Sequence, residues 1–135
     1  MTKTSIYEQV GGADTFRRLV DYFYQQVEQD PLLRPMFPHD MEPGKRRQYL
    51  FLVQYFGGPD DYNRERGHPR LRSRHMPFPI GQAERDAWLG HMLAAIDVVG
   101  ITEPARSVMR NYFEQAAGAM VNQYQPHTPG SGENP

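Results

Sequence analysis

No cysteine occurs among the 135 residues. That excludes a disulfide framework, a zinc ribbon, a thiolate-held iron–sulfur cluster and a thiol nucleophile. Any metal must then be held by histidine, by carboxylate or through a prosthetic group. Long apolar runs are also missing: nothing approaches the roughly 20 apolar residues that span a bilayer, and MTKTSIYEQVGG at the N-terminus lacks the apolar stretch of a signal peptide. The expectation is a soluble, cytoplasmic protein with no membrane partner. Neither charge dominates, since 15 basic residues face 16 acidic ones for a formal charge of -1, so the surface as a whole is not built to coat nucleic acid or anionic lipid. Alternating apolar and polar residues are absent as well, which points to an all-α fold. What is present is a globular composition, 39% apolar and 23% charged, in a chain able to bury about two-thirds of its unfolded surface. One domain with room for one enclosed ligand follows.

Twelve glycines and twelve prolines divide the chain into helical blocks. Ser5 to Val10 is a short helix candidate capped by Thr4 or Ser5, with Gly11-Gly12 as its terminator. In the next block Ala13, Phe16, Leu19, Val20, Phe23, Tyr24 and Val27 share one helical face, and Asp30-Pro31 ends it. The apolar but proline-interrupted stretch from Pro31 to Pro38 reads as a packed corner. A helix runs from Pro43 to Tyr55 or Phe56, closed by Gly57-Gly58-Pro59. Residues 59 to 69 read as loop, and a short segment, Arg70 to His75, is stopped by Pro77 and Pro79. Gln82 to Val99 carries an apolar face through Ala83, Ala87, Trp88, Met92 or Leu93, and Ile96. Thr102 caps a last helix with Pro104 in its first turn and a face through Val108, Tyr112, Phe113, Ala116, Met120 and Tyr124. The domain spans 1–124, and the tail 125–135, without periodicity, is expected to be disordered.

The chemistry-bearing residues are few. None of the histidines at 39, 68, 75, 91 and 127 is paired at helical spacing, so a metal site built from protein side chains alone is not indicated. No phosphate-binding glycine loop or serine-nucleophile signature is present. The densest polar feature is Arg64-Glu-Arg-Gly-His-Pro-Arg-Leu-Arg-Ser-Arg-His75, and Lys45-Arg46-Arg47 adds three more cations. A solvated basic loop is the plain reading. A grip on a phosphorylated or nucleic-acid partner, or on the carboxylates of an anionic cofactor, are the sharper ones. A histidine turning into two prolines favours the cofactor, because axial metal ligation needs an imidazole of fixed orientation. Tyr24, Gln48 and Trp88 have ordinary structural readings one by one, as a core tyrosine, a solvent-facing glutamine and a core anchor.

Taken together, Tyr7-Glu-Gln-Val-Gly-Gly12, Phe23-Tyr24, Met36-Phe37-Pro38, Gln54-Tyr-Phe-Gly-Gly-Pro59, Gly67-His-Pro-Arg-Leu-Arg-Ser-Arg-His75 and Glu84-Arg-Asp-Ala-Trp-Leu89 resemble the bacterial truncated haemoglobins of group II. The resemblance runs from about Ser5 to Gln123. Its most specific part is the segment ending in His75, with a tryptophan thirteen residues later.

The resemblance implies a truncated globin fold, a two-over-two helical sandwich around one haem b. His75 would be the proximal iron ligand. Tyr24, Gln48 and Trp88 would face the opposite side, where a phenol, a carboxamide and an indole can donate to a diatomic ligand without ionising near neutral pH. At roughly 0.5–1.5 kcal/mol each, two or three such bonds would slow oxygen release by about tenfold to several hundredfold. Phe37, Phe51, Leu71 and Phe78 would pack on the haem edge, with Arg47, Tyr62 and Arg74 for the propionates. Phe37 stands where many members carry tyrosine, Gln48 where many carry leucine, and Gly44 at the gate position, which recentres the polar network on Tyr24, Gln48 and Trp88. The implied ligands are dioxygen, carbon monoxide, nitric oxide or peroxide, with a reductase as partner, no nucleic acid, and a monomer or homodimer. The competing expectation is a haem-free helical module that uses the arginine-rich loop to bind a phosphorylated or nucleic-acid partner.

Overall fold

The computed structural model describes residues 4–66 and 80–121. The sequence expectations for Leu71, Arg74, His75 and Phe78, for the Arg70–His75 segment, for Tyr124 and for the tail 125–135 lie outside the described residues. Six α-helices are described: α1 (Ile6–Gln9), α2 (Ala13–Glu28), α3 (Glu42–Tyr55), α4 (Asp61–Arg66), α5 (Gln82–Val98) and α6 (Ala105–Ala119), with a 3-10 turn at Arg34–Met36. The four longer ones pack as α2 on α3, α2 on α5 and α5 on α6, and α4 leans on α3. None is long and apolar enough to cross a membrane.

Local chemistry explains the boundaries. Ser5, not Thr4, caps α1: its Oγ accepts from the Glu8 amide at 3.1 Å while the Glu8 carboxylate accepts from the Ser5 amide at 3.2 Å, a reciprocal capping box. α2 buries Phe16, Leu19, Val20, Phe23 and Val27 almost completely, the single stripe that its spacing predicts. Beyond it, the Asp30 carboxylate accepts from the Leu32 amide at 2.9 Å and from His91 Nε2 at 2.7 Å, tying the end of α2 to α5. The Gly57-Gly58 pair is more than a terminator. Gly57 has φ +104°, and a Cβ on Gly58 would meet Val53 Cγ1 at 2.7 Å and the Tyr7 ring at 2.8 Å, so the glycines let α1 lie against the end of α3.

Several expectations change. Residues 61–66, read as loop, form α4. The helix is held from α3: Arg46 forks onto Glu65 at 2.6 and 2.7 Å, and the Gln54 side chain accepts from the Asn63 amide at 2.9 Å and donates to Asn63 Oδ1 at 3.1 Å. α6 starts at Ala105; the Thr102 carbonyl accepts from the Arg106 amide at 2.9 Å, and the side chain that caps the first turn is the Glu103 carboxylate, which takes the Ser107 N–H at 3.1 Å and the Ser107 hydroxyl at 2.9 Å. Its buried ladder is Ala105, Met109, Phe113 and Ala117, while Val108 is 46% exposed. On α5 the core takes Leu89, Met92, Ala95 and Ile96, and Ala83 in the first turn is exposed.

Candidate functional site

Stripes from the four longer helices converge on one cavity of about 540 Å³, within the usual range for small-molecule sites. From α3 come Gly44, Arg47, Gln48, Phe51 and Leu52, which fall at the three-four spacing of one helical face. α2 gives Phe23 and Tyr24, α5 gives Glu84, Arg85 and Trp88, and α6 gives Tyr112, Phe113, Ala116 and Ala117. Phe37 enters from the corner after the 3-10 turn and Tyr62 from α4. Tyr24, Phe37, Arg47, Gln48, Phe51, Tyr62 and Trp88, singled out in the sequence from distant segments, therefore line one cavity.

The Tyr24 ring is fixed by edge contacts with Phe23 at 5.5 Å and Phe37 at 5.8 Å, and Phe23 meets Trp88 at 5.6 Å. The Phe37 corner depends on a residue that the sequence reading passed over. The Arg34 guanidinium donates to the backbone carbonyls of Phe37, Pro38 and His39 at 3.1–3.2 Å, bracing a segment too rich in proline to brace itself. Gly44 leaves a gap: a Cβ there would lie 3.4 Å from the Tyr24 hydroxyl and 3.5 Å from Arg47 Nη2. The two polar groups thus approach over a position with no side chain. Burial pushes the Tyr24 hydroxyl up to about 12, against the opposing pull of the Arg47 charge, so it stays a neutral donor at ordinary pH.

Three polar groups of the lining lack hydrogen-bond partners among the described residues. Gln48 Oε1 is buried without a hydrogen-bond partner. Among the described residues, neither the Tyr24 hydroxyl nor the Trp88 indole N–H has one. A buried polar atom left unpaired costs about 1–3 kcal/mol, so the Gln48 oxygen, beside two further donors without partners in the same cavity lining, marks a place for an occupant that supplies the missing partner.

The sequence expectation had the cations of 45–47 and 64–74 facing an anionic group together; residues 67–74 lie outside the described residues, and several of the others are paired elsewhere. Lys45 pairs with Asp21 at 2.7 Å, Arg46 with Glu65, and Arg64 with Asp60 and Asp61. Arg47 is on the cavity wall and has no ion pair among the described residues. Arg85 also lines the cavity but is engaged by Asp86 at 2.7 Å. Tyr112, which the sequence assigned to the core, proves to be a wall residue, and its spacing from Ala116 and Met120 on α6 is the signal that marks it.

Comparison with known proteins agrees with this architecture. The chain matches the family described as bacterial-like globin over residues 5–122. It is 46% identical over 117 residues to the group 2 truncated haemoglobin YjbI of Bacillus subtilis, covering 87% of this chain and 88% of that one. Among solved structures, the haemoglobin of the thermophilic phototroph Chloroflexus aurantiacus superposes with a TM-score of 0.89 at 65% identity, covering 90% of this chain and all of that one. A truncated haemoglobin of Bacillus subtilis described as oxygen-avid superposes at 0.84 with 44% identity, covering 88% and 100%. No finding favours the haem-free phosphate- or nucleic-acid-binding module, and Arg64, the first cation of the loop it would use, is engaged by Asp60 and Asp61. With its helices in the two-over-two arrangement, the chain belongs to the bacterial-like globins, as a truncated haemoglobin of group II.

Proposed function

We propose that the chain holds haem b in the central cavity and reversibly binds dioxygen and other diatomic gases there, with turnover of nitric oxide or peroxide as a further capacity. The observation that carries this reading is the convergence of three unpaired polar groups, Tyr24, Gln48 and Trp88, on a cavity otherwise walled by aromatic and aliphatic side chains. The donor set fits the group. Phe37 and Phe51 offer flat apolar faces, and Arg47, without an ion pair among the described residues, is suited to a carboxylate at the cavity edge. Tyr62 stands beside Phe51, ring centroids 5.4 Å apart, as a hydroxyl for the same edge. His75 as proximal ligand, Leu71 and Phe78 as packing residues and Arg74 as a second cation complete the proposal from the sequence.

When bound, haem would supply an iron at which a diatomic gas can be held. The protein's part is polar stabilisation and exclusion of water. Tyr24 and Trp88 each present one hydrogen to a ligand that draws negative charge, and Gln48 presents its carboxamide between them. All three are uncharged near neutrality, so they stabilise the ligand without offering it a ready proton. Gly44 keeps the approach to Tyr24 open. A gas held by several donors leaves slowly, which suits redox use of the bound ligand, with electrons from a reductase, better than rapid delivery.

The absorption spectrum of the purified protein tests the reading. An intense Soret band that shifts with carbon monoxide is expected; a colourless protein that takes up no added haemin would refute it.

A further inference from the structure

Two side chains of α3 that do not line the cavity are spent on α4. Arg46, from the basic run at 45–47, forks onto both oxygens of Glu65 at 2.6 and 2.7 Å. Gln54, which opens the segment 54–59, accepts from the Asn63 amide at 2.9 Å and donates to Asn63 Oδ1 at 3.1 Å. The two grips are eight residues apart on α3, about 12 Å along its axis. Their partners follow in reverse order, so α4 lies antiparallel to α3. Between the grips the ring of Phe51 meets the ring of Tyr62 at 5.4 Å. Tyr62 is the residue of α4 that lines the cavity, and it is 4% exposed.

α4 cannot hold that place by itself. It has six residues, well short of the roughly 12 to 15 at which a helix stands alone in water, and Asp60, Asp61 and Asn63 favour turns. The Asn63 amide belongs to the first turn, where an N–H has no partner inside its own helix, so Gln54 is a cap lent from α3. Arg64 turns back on Asp60 and Asp61 at 2.8 and 3.2 Å, which leaves Glu65 to receive Arg46. The Tyr62 hydroxyl has no hydrogen-bond partner among the described residues. Its place there is set by the seat of α4 and by the Phe51 ring.

We propose that Arg46 and Gln54 are positioning residues for the cofactor: their clasp on α4 holds the Tyr62 hydroxyl at the cavity edge, and its strength sets how long haem is retained. The proposal rests on the haem reading above. Neither residue lines the cavity, so gas release, which falls to Tyr24, Gln48 and Trp88, is left alone. The two grips are unequal. The Arg46 and Glu65 side chains are 59% and 42% exposed, so their pairing is screened by solvent and its share is the smaller one.

The test uses the haem-loaded protein, its Soret band recorded first. Haem loss is followed by transfer to excess apomyoglobin, dioxygen release by carbon monoxide displacement, and α4 by amide hydrogen exchange with mass spectrometry. Gln54→Leu should speed haem loss about three- to tenfold and Arg46→Gln about two- to fivefold, each with faster exchange confined to 61–66 and with dioxygen release unchanged. Arg46→Glu combined with Glu65→Arg should restore haem loss to within about twofold of the unaltered chain. Arg17→Gln, which breaks an exposed pair on α2, should alter nothing. In a Tyr62→Phe background both α3 substitutions should lose most of their effect, because the hydroxyl that they place is gone. Haem loss at the unaltered rate in both Gln54→Leu and Arg46→Gln, or the full effect persisting in Tyr62→Phe, overturns the clasp while leaving haem binding intact. A protein that takes up no haem overturns both.

Discussion

Replacing Tyr24 by Phe isolates one hydroxyl. The ring is seated by its edge contacts with Phe23 and Phe37, which Phe retains, and the hydroxyl has no partner among the described residues whose loss would disturb the fold. What disappears is a donor facing the cavity. One net hydrogen bond is worth about 0.5–1.5 kcal/mol, so dioxygen should dissociate about two- to thirteenfold faster. Gln48 and Trp88 still present polar groups on the same wall, so the increase should stay within that range. Stopped-flow displacement of dioxygen by excess carbon monoxide measures the rate directly. The pH dependence supplies a second arm: with the hydroxyl pushed up to about 12, the unaltered protein should release ligand at a constant rate from roughly pH 6 to 10, because the phenol remains a donor throughout. Only near its own pKa, where the phenolate can no longer donate, should release quicken, and Tyr24→Phe should lack that rise. An unchanged rate in Tyr24→Phe would remove the hydroxyl from ligand stabilisation and undo the reasoning from unpaired groups.

His75→Ala should abolish the five-coordinate ferrous spectrum, and its survival would refute the proximal assignment. Gly58→Ala drives a Cβ into Val53 and the Tyr7 ring at under 3 Å and should destabilise the fold by about 1–3 kcal/mol, seen as a lower thermal midpoint; an unchanged midpoint would show that α1 yields freely. Asp30 is held below the usual carboxylate range, first by its hydrogen bond from His91 and then by the Leu32 and Leu33 amides, despite a counteracting desolvation. Its contribution is therefore full above the unfolded value near pH 3.9 and is lost as pH falls through the lower folded value. Asp30→Asn should cost about 1 kcal/mol near neutrality with a gap to the unaltered protein that narrows in acid; a gap that widens in acid would reverse the sign of this linkage.

How far the sequence could be read depended on how many tasks each helix carries. α2 buries one stripe against one core, and its pattern names the right residues. α3 serves two surfaces, Leu50 and Val53 in the core and Gly44, Arg47 and Gln48 on the cavity, so polar residues interrupt the apolar period and Gln48 looks solvent-facing. α4 is invisible to local propensity because Asp60, Asp61 and Asn63 are turn formers; a helix forms because α3 supplies Arg46 and Gln54 to meet it. On α6, Val108, Tyr112, Ala116 and Met120 do form one stripe, but it runs from a surface groove into the cavity rather than along the core. Charge was the least legible quantity, since counting cations cannot show that Lys45 and Arg46 are engaged elsewhere and Arg47 is not. The seven described site residues came from a resemblance spread over the whole chain, and no spacing rule links Tyr24 to Trp88.

The unpaired Gln48 oxygen narrows what the cavity is built to hold. Dioxygen and carbon monoxide carry no hydrogen, so a wall serving them alone needs only donors, and Tyr24 and Trp88 provide two. A buried acceptor beside those donors is of use to a ligand that brings its own hydrogen, such as peroxide. The carboxamide can serve either class, because a half-turn about its last torsion exchanges Oε1 for Nε2 at the same place on α3. An aliphatic side chain at 48 would remove the unpaired atom and its cost of about 1–3 kcal/mol, at the loss of that choice. Keeping a glutamine whose Oε1 finds no partner among the described residues therefore favours a cavity that handles protonated as well as bare diatomic ligands.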